Sequence, residues 1–372
     1  MASNAATNAG CRRPRRLKNR PFLLLLAVAL ALPARGQPKR KVIIDQDARG
    51  PATTDEQAIL ALVQSPETDV LGITVVTGDD WRDLEVAHTL RMLEIIGRTD
   101  LPVVPGAVFP INNSREFIAH WETLYGPVVY QGAWNRSKAR GPWDVPPLAE
   151  GAPSTKPAAE DAAHFLVRMV HRYPHQVTIY AAGPLTDLAL AVVIDPHFAA
   201  LARELVVMGG SIDPRTNDLE FRAHPHREFN FWMDPEAAYA VLRAPWPRIL
   251  DTPVDISIKT RFTKAMLAEI GRTDTPAAQY VAKYGNEEYM WDELAAVAWL
   301  DPAVITQTRK FFLDVSTNRG ATYGDTRSWP ADQNPGLGRQ LVTVNADLDS
   351  ARFYRDFIRL MTRPTPGAHF GR

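Results

Sequence analysis

The sequence predicts an α/β protein with a single large domain, in which helices cover both faces of a mainly parallel, open β-sheet. Two observations support this prediction. Short apolar runs rich in β-branched residues alternate with segments of helical spacing along residues 41–300. The 372 residues, of which 45% are hydrophobic and 23% charged, can also bury a large core. Regular alternation of strands and helices is typical of parallel sheets that are buried on both faces.

The predicted elements follow one another as strand, loop and helix. Residues 41–45 form the first strand, and helical spacing begins at Thr54, with Ala58, Ile59 and Leu62 on one side. Further strands are predicted at 70–76, 101–104, 177–181, 204–208 and 249–254. Further helical segments are predicted at 84–96, 158–172, 185–193, 235–243, 263–283, 293–300 and 350–361.

Two segments depart from this alternation. Residues 107–156 are rich in Pro, Gly, Trp and Tyr, which indicates a long surface excursion that covers a site. Residues 311–344 read as paired strands joined by Gly-rich turns, and they predict a small β-rich C-terminal part. In open parallel sheets, ligands bind beyond the carboxyl ends of the strands. Residues just after strands are therefore the first candidates for a site.

The first 36 residues have the composition of a signal peptide. Basic residues precede a short apolar run at 22–32, and small residues follow it at Ala34 and Gly36. A membrane-spanning helix needs roughly twenty apolar residues, so an uncleaved anchor is the less favoured alternative. The sequence therefore predicts a signal peptide at 1–36, a mature domain at 37–372, and export to the periplasm or the extracellular space without stable membrane association after cleavage.

Charge and cysteine content narrow the functional classes. Residues 1–36 hold seven Lys and Arg residues and no acid, so their removal changes the formal net charge from zero to about −7. A protein of that charge is not expected to bind nucleic acid. Cys11, the single cysteine, lies in the leader, so the mature chain has no disulfide and no cysteine zinc site.

Four acidic residues stand where a site is expected. Asp45 and Asp47 lie two apart at a strand end, so their side chains leave the sheet on the same side, and Asp55 and Asp292 each start a predicted helix. A hard cation such as Ca²⁺ requires several converging oxygen ligands. Each acid alone is more often a helix or turn cap. Together they predict an oxygen-ligated metal site but no particular reaction.

Several motifs, in their order along residues 41–361, resemble the signature of the inosine-uridine-preferring nucleoside hydrolases. The matching stretches are VIIDQD at 42–47, TDEQAI at 54–59, VLGITVVTG at 70–78, GPLTDLALA at 183–191, VVMGG at 206–210, EFN at 228–230, DPEAA at 234–238 and WDELAAVA at 291–298. The resemblance implies an N-ribosyl hydrolase of purine or pyrimidine nucleosides, which releases base and ribose. The expected partner is a small-molecule nucleoside or riboside, and the expected assembly is a homodimer or homotetramer.

Carried over residue by residue, the resemblance implies a Ca²⁺ site. Asp47, Asp55 and Asp292 would supply carboxylate ligands, and Thr186 would supply its backbone oxygen. Asp47 would also take a proton from the calcium-bound water that attacks the anomeric carbon, because a metal makes its bound water more acidic. Asp45 is assigned to orienting Asp47 and the surrounding loop.

The resemblance also implies residues that bind the sugar. Loss of the base leaves a cation-like ribosyl group, which surrounding carboxylates and amides stabilise. Glu228 and Asn230 stand where the family binds ribose hydroxyls, and Asn217 is a further candidate. Asp79 follows Gly78 where the family usually has Asn, so a sugar-facing role is expected there as well.

Three departures from the family pattern alter these expectations. Asp79 is the first. The second is an expanded loop, ARGPATT at 48–54, which leaves Thr54 where the family has a ribose-binding Asp. An alternative register makes Asp55 that residue and Glu56 the metal ligand. The register with Asp55 as ligand is preferred because Ala58 and Ile59 then match the helix.

The third departure is Trp291, which replaces a His that is the proposed proton donor to a departing purine. Indole cannot act as that acid. Other candidates for leaving-group help or for stacking on the base are Tyr284, Tyr289, His224, His226, Trp81 and Trp232. Aromatic residues at such positions more often belong to the core, and a lone His is usually structural.

Two alternatives belong to other functional classes. An exported protein that binds a ribosyl compound could keep the metal site and lack the chemistry, and an assay of ribose release separates it from a hydrolase. A sugar-nucleotide transferase could use D-x-D to bind a diphosphate. It is disfavoured because no Gly-rich or basic phosphate cradle accompanies the acids.

Overall fold

The computed structural model describes residues 38–370 and contains a large mixed β-sheet flanked by helices. The predicted signal peptide at 1–36 lies outside the described residues. The strands are β1 Arg40–Gln46, β2 Thr68–Val75, β3 Val103–Pro105, β4 Val177–Ala181, β5 Glu204–Met208, β6 Ile249–Thr252, β7 Arg261–Phe262, β8 Glu288–Tyr289, β9 Ile305–Val315, β10 Thr326–Pro330 and β11 Leu341–Leu348.

Helices connect most of these strands. They are α1 Thr54–Gln64, α2 Arg82–Ile95, α3 Arg115–Tyr125, α4 Ala162–Arg172, α5 Thr186–Ile194, α6 Phe198–Leu201, α7 Leu219–Ala223, α8 Phe229–Met233, α9 Pro235–Arg243, α10 Val254–Ser257, α11 Lys264–Ile270, α12 Pro276–Tyr284, α13 Trp291–Leu300 and α14 Ser350–Thr362. Short 3₁₀ turns occupy Gly132–Trp134 and Pro302–Val304. None of the helices within the described residues is long and apolar enough to cross a membrane.

The main sheet has nine strands in the order β10-β9-β11-β6-β5-β4-β1-β2-β3. Pairing is parallel from β11 through β3, whereas β9 pairs antiparallel with both β11 and β10. The predicted α/β class with a mainly parallel sheet is therefore confirmed. The C-terminal strands form the antiparallel edge of this same sheet, because β11 pairs with β6.

The alternation of side chains in β1 shows how both faces are buried. Val42 and Ile44 pack into one core with α1, α2, α13 and α14, whereas Ile43 packs into a second core with α4, α5 and α9. All three side chains are fully buried. Because both faces of this strand are covered, its polar residues can reach a ligand only at its carboxyl end.

The excursion at 107–156 contains more structure than the sequence predicts. Helix α3 begins after Ser114, whose hydroxyl accepts a hydrogen bond from the amide of Phe117, 3.1 Å away. Its buried face, Ile118 and Trp121, packs with Trp232 in a separate apolar cluster. The excursion is thereby held against α8, at the end of the sheet where the site is expected.

Candidate active site

A cavity of about 240 Å³ opens at the carboxyl end of the parallel strands. Ala182 directly follows β4, Met208 ends β5, and both line the cavity. Acidic residues form most of its polar wall, namely Asp47, Asp55, Asp79, Glu220, Glu228, Glu288 and Asp292. Arg49 is the single basic residue among the described residues that line it. The cavity therefore combines seven carboxyl groups with one guanidinium.

Asp47 directly follows β1 and is 1% exposed. Its Oδ2 accepts a hydrogen bond from the amide of Asp79 over 3.0 Å. Gly78 and Gly183 approach it so closely that a methyl group on Gly78 would overlap the Asp47 carboxylate, and one on Gly183 would lie 2.8 Å from its Oδ1. The loops after β2 and β4 therefore hold this carboxylate in one orientation.

Gln46 connects the two carboxylates that start helices. Its amide Nε2 donates to Oδ2 of Asp292 over 2.6 Å and lies 3.5 Å from Oδ1 of Asp55. The Thr53 hydroxyl donates to Oδ2 of Asp55 over 2.8 Å. Asp55 and Asp292 thus face each other from the first turns of α1 and α13.

The buried acids raise one another's pKa. Burial is the main reason that the pKa of Asp47 lies well above its ordinary value, and the charges of Asp79 and Asp55 add to the effect. Burial likewise raises the pKa of Asp292, with a further contribution from Asp55. Burial lowers the pKa of Arg49, but the surrounding acids, with Asp79 first, raise it overall. One guanidinium therefore offsets only part of the negative charge.

The donor chemistry of this wall fits a hard cation. Asp47, Asp55 and Asp292 are buried, line the same cavity and carry oxygen donors, which is the ligand type that Ca²⁺ prefers. Within residues 38–370, no three acidic or histidine side chains converge closely enough to form a complete metal shell. The three carboxylates share the cavity, and Gln46 connects Asp55 with Asp292, but the three do not meet at one point.

Thr186 begins α5 and is buried, but its side chain faces away from the cavity wall. Its hydroxyl donates to Oδ2 of Asp234 over 2.7 Å. Neither residue lines the cavity, although Ala182 in the preceding turn does. The side chain of Thr186 is therefore occupied, and the predicted role of its backbone oxygen stays a prediction.

Asp55 and Glu56, the two alternative metal ligands at the start of α1, have different surroundings in the structure. Asp55 lines the cavity. Glu56 points elsewhere, because its Oε2 accepts hydrogen bonds from the amide of Ala52 and the hydroxyl of Tyr280, over 2.6 and 2.5 Å. The geometry therefore favours Asp55 over Glu56 as a ligand.

Thr54 lines the cavity, yet its polar groups bind other parts of the chain. Its hydroxyl donates to Glu293 over 2.5 Å, and its amide donates to Glu288 over 2.8 Å. Glu288 belongs to β8 and also lines the cavity. A carboxylate from a distant strand thus lies beside the position where Thr54 replaces the expected Asp.

Glu228 and Asn230 also line the cavity. Glu228 caps α8, and its carboxylate accepts the amides of Asn230, Gly210 and Phe231 over 2.7, 2.8 and 3.1 Å. Burial nevertheless raises its pKa to about 7. The amide nitrogen of Asn230 donates to the carbonyl oxygens of Ala182 and Met208. Its own carbonyl oxygen is therefore the group left to face a ligand.

Aromatic rings form another part of the wall. Trp291 lines the cavity and packs on Phe221, with ring centroids 6.0 Å apart. Tyr130 packs edge to face on Phe229 at 4.9 Å, and both line the cavity. The Tyr130 hydroxyl accepts a hydrogen bond from Arg49 over 3.2 Å. The cavity therefore has an acidic part and an aromatic part, which suit a sugar and a flat base.

Several residues singled out in the sequence do not line this cavity. They are Asn217, Trp81, Tyr284, Tyr289, His224, His226 and Trp232. Tyr289 packs on Trp291 at 4.7 Å from outside the cavity, and Trp81 packs on Phe109 at 6.1 Å. His224 lines a small neighbouring pocket. Direct contact of these side chains with a ligand in the cavity has no support in this geometry.

Asp45 is connected to the next strand and not to Asp47. Its Oδ2 accepts a hydrogen bond from the Thr74 hydroxyl over 2.5 Å. Burial, followed by the charge of Asp187, raises the pKa of its carboxyl well above the ordinary value. The role of Asp45 in orienting Asp47 stays a prediction, because the hydrogen bond that its side chain makes within the described residues is to Thr74 of β2.

Comparison with known proteins agrees with the fold and with the cavity. The family model described as inosine-uridine preferring nucleoside hydrolase matches residues 42–355. The chain belongs to that family. Uridine nucleosidase 1 of Arabidopsis thaliana is 32% identical over 83% of this chain and 89% of its own length. A pyrimidine-specific ribonucleoside hydrolase of Salmonella arizonae is 29% identical over 77% of this chain and 87% of its own.

A solved structure of a plant nucleoside hydrolase covers 88% of this chain and all of its own, with 25% identity and a TM-score of 0.69. A purine-preferring ribonucleoside hydrolase from Gardnerella vaginalis has a TM-score of 0.68 at 21% identity, which bears on the fold alone. Membership of the nucleoside hydrolases confirms the predicted class of enzyme, which cleaves N-ribosyl bonds.

In this nucleoside hydrolase, sequence analysis missed four polar residues of the cavity: Arg49, Tyr130, Glu220 and Glu288. Arg49 lies in the expanded loop at 48–54, so the insertion itself is a usable signal. Tyr130 and Glu220 lie in segments without hydrophobic periodicity, and Glu288 belongs to a two-residue strand. Only the fold brings these residues to the cavity.

Proposed function

We propose that this nucleoside hydrolase cleaves the N-glycosidic bond of ribonucleosides to give ribose and the free base. The observation that carries the proposal is one cavity that joins buried carboxylates, Asp47, Asp55 and Asp292, to a wall of aromatic rings. Carboxylates stabilise a ribosyl group that becomes cationic as its base leaves. Uridine is the first substrate to test, because two of the relatives described above bear uridine or pyrimidine specificity in their names.

We also propose Ca²⁺ as the cofactor. Asp47, Asp55 and Asp292 would hold it with their carboxylates, and Thr186 with its backbone oxygen. The excess of acidic over basic groups in the cavity supports a divalent cation. When bound, such an ion makes a water molecule more acidic and positions it together with the ribose hydroxyls.

The chain's own residues divide the remaining tasks. Asp47 accepts a proton from the attacking water, since its carboxylate is held in place by the amide of Asp79 and crowded by Gly78. Glu228 and the carbonyl oxygen of Asn230 accept hydrogen bonds from ribose hydroxyls. Trp291 and the other aromatic rings exclude water around the base and pack against its faces.

The proposal is tested by ribose release from uridine, cytidine, inosine, adenosine and nicotinamide riboside, with the mature protein in excess Ca²⁺. Asp47→Asn keeps the size of the side chain and removes its basicity, so we expect kcat to fall by about 10²–10⁴. Asp332→Asn, an exposed residue of the turn after β10, is the matched control and should match the parent protein. Full turnover by Asp47→Asn would show that another group takes the proton.

The panel also decides between catalysis and binding alone. A protein that binds ribosides in calorimetry but releases no ribose from any of them would be a binding protein that retains the ligand site. Binding without catalysis is worth testing because Trp291 stands where many relatives have a His that is the proposed proton donor. Release of ribose from any member of the panel would exclude a protein that only binds ribosides.

Export is proposed as well, with cleavage near residue 36 and a periplasmic or extracellular mature protein. The basic and apolar pattern of residues 1–36 supports it. Mass spectrometry of the secreted or periplasmic chain would give the amino terminus. Recovery of the protein only in the cytoplasm with residue 1 intact would contradict the proposal.

A further inference from the structure

A departing base needs a proton or a strong hydrogen bond, because a deprotonated base is a poor leaving group. Trp291 offers only an indole N–H, which is not an acid at neutral pH. Tyr284, Tyr289 and His224 do not line the cavity. The donor must therefore be sought among the polar residues that the aromatic wall itself contains.

Glu220 stands in that wall. It belongs to α7, within the long segment between β5 and α8, and its neighbour Phe221 packs on Trp291. The Glu220 side chain lines the cavity, and it also lines the small adjoining pocket together with Tyr130 and Phe229. This position is on the aromatic side of the cavity, where the base would lie.

The Glu220 carboxyl differs from its neighbours in its hydrogen bonds. Glu228 accepts three backbone amides, and Glu288 accepts the amide of Thr54. Within residues 38–370, no group donates a hydrogen bond to the carboxyl oxygens of Glu220. Amide donors stabilise a charged carboxylate, so their absence here leaves the neutral acid free to donate its own proton.

We propose that Glu220 is the proton donor to the departing base. This inference rests on the proposed hydrolysis of ribonucleosides and names a catalytic residue for it. The C1′–N bond breaks and its electron pair stays on the base nitrogen. The base takes the proton of Glu220, and the water oxygen bonds to C1′ while Asp47 takes the water's proton. Glu220 then regains a proton from solvent and Asp47 releases one, so the protons balance.

The surroundings of Glu220 keep its carboxyl protonated near neutral pH. Burial raises its pKa to about 8, and the charges of Asp218, Glu228 and Asp79 add to the effect, whereas Arg136 opposes it. In the small adjoining pocket, the other titratable or charged groups are Tyr130, His224 and Arg227. In the main cavity they are Arg49 and the six other acids named above. A general acid with a pKa close to the working pH is well matched to its task.

Tyr130 and Glu288 are the competing donors, and each is less suited. Burial, together with Asp79, raises the pKa of Tyr130 well above its ordinary value, so it releases its proton less readily. Burial raises the pKa of Glu288 to about 7, although Arg49 lowers it, but its carboxyl already accepts the amide of Thr54, next to Asp55. Both groups are better suited to holding the substrate.

The test compares leaving groups that do and do not need a proton. Glu220→Gln keeps the shape of the side chain and cannot give up a proton. We expect kcat for uridine and inosine to fall by about 10²–10⁴, while kcat for nitrophenyl riboside, which leaves as a stable phenolate, changes by less than about threefold. Glu269→Gln, an exposed residue of α11, is the control and should leave both rates unchanged.

The pH profile gives a second measurement. In the parent protein, kcat for uridine should fall as the pH rises through about 8, because Glu220 loses its proton there. That basic limb should be absent in Glu220→Gln and retained in Glu220→Asp, at a lower rate. Melting curves of each variant establish that the fold is retained.

The outcomes separate the two proposals. An unchanged rate on nucleosides, or an equal loss on nucleosides and nitrophenyl riboside in a folded Glu220→Gln variant, overturns the role of Glu220. A parent protein that cleaves neither the nucleosides nor nitrophenyl riboside overturns the hydrolase proposal itself.

Discussion

The two ends of the main sheet carry opposite charge in cavities of similar size. At the carboxyl end, seven carboxyl groups and one guanidinium line about 240 Å³. At the amino end, a cavity of about 310 Å³ is lined by Arg40, Arg203 and Arg248 with one carboxylate, Glu204. The same strands separate the two cavities, so the difference in charge comes from residues at the strand ends and in the segments that connect the strands.

The two ends also differ in how their charges are stabilised. Arg40 donates to the carbonyl oxygens of Trp299 and Leu300 over 2.8 and 3.0 Å. Glu204 accepts hydrogen bonds from the indole of Trp299 over 2.9 Å and from Arg248 over 3.3 Å. At the carboxyl end the acids instead raise one another's pKa. Arg40, Arg248 and Glu204 at the amino end thus have hydrogen-bond partners within the chain, whereas the excess of acids at the carboxyl end favours binding of a cation.

Among the changes that test this comparison, the largest effect on kcat should come from a substitution that crowds Asp47. Gly78→Ala puts a methyl group where the Asp47 carboxylate lies, so the carboxylate must move. A displacement of about 1 Å at a reacting group costs on the order of 10² in kcat, which ribose release from uridine would measure. Gly141→Ala is the matched control, because a methyl group there meets nothing within 4 Å. Equal activity of the two variants would mean that the position of Asp47 is not critical.

A smaller effect is expected in the pH dependence of the stability of the folded protein. Burial raises the pKa of Glu228 and of Glu288 to about 7, whereas unfolded glutamates titrate near about 4.3. The folded state therefore holds these protons more tightly, and the stabilisation is lost as the pH rises from about 4 to about 7. We expect the melting temperature of metal-free protein to fall between pH 5 and pH 8, as measured in the presence of a chelator.

Excess Ca²⁺ should reverse most of that fall, because a cation that binds only the folded state stabilises it. No such dependence is expected at the amino end, because its charged groups are mainly arginines, which stay protonated over this pH range. A metal-free melting temperature that stays constant or rises between pH 5 and pH 8 would contradict the contrast between the two ends.

The smallest effect should follow from a change at the amino end. Glu204→Gln weakens hydrogen bonds to Arg248, Trp299 and Thr178, so unfolding should become easier by about 1 kcal/mol. Ribose release should stay at the parent level, because this side chain lies at the other end of the sheet. Denaturant melts and the uridine assay measure the two quantities. A large loss of activity with little change in stability would connect the two ends functionally.

Local sequence patterns predicted much of this fold. Strands Val177–Ala181 and Glu204–Met208 and helix Pro235–Arg243 begin and end where their apolar patterns do. Strand order was not predictable, because the pairing of β11 with β6 depends on tertiary contacts. Helix α3 was missed because its buried face, Ile118 and Trp121, is short.

The site was predicted best where acids follow strands. Asp47, Asp55 and Asp292 line one cavity, as the sequence suggested. The choice between Asp55 and Glu56 depends on Tyr280, which binds Glu56 from 224 positions away. The aromatic part was predicted poorly, since Trp81 and Tyr284 remain outside the cavity while Phe221 and Phe229 line it. No local pattern distinguishes these rings.

The hydrogen bond from Gln46 to Asp292 joins residues 246 positions apart. Synthesis proceeds from the amino terminus, so a growing chain carries Asp47 and Asp55 long before Asp292 emerges. The proposed metal site is therefore complete only after most of the polypeptide has been made. If the proposed export precedes folding, the proposed ion would be bound only after the chain has crossed the membrane.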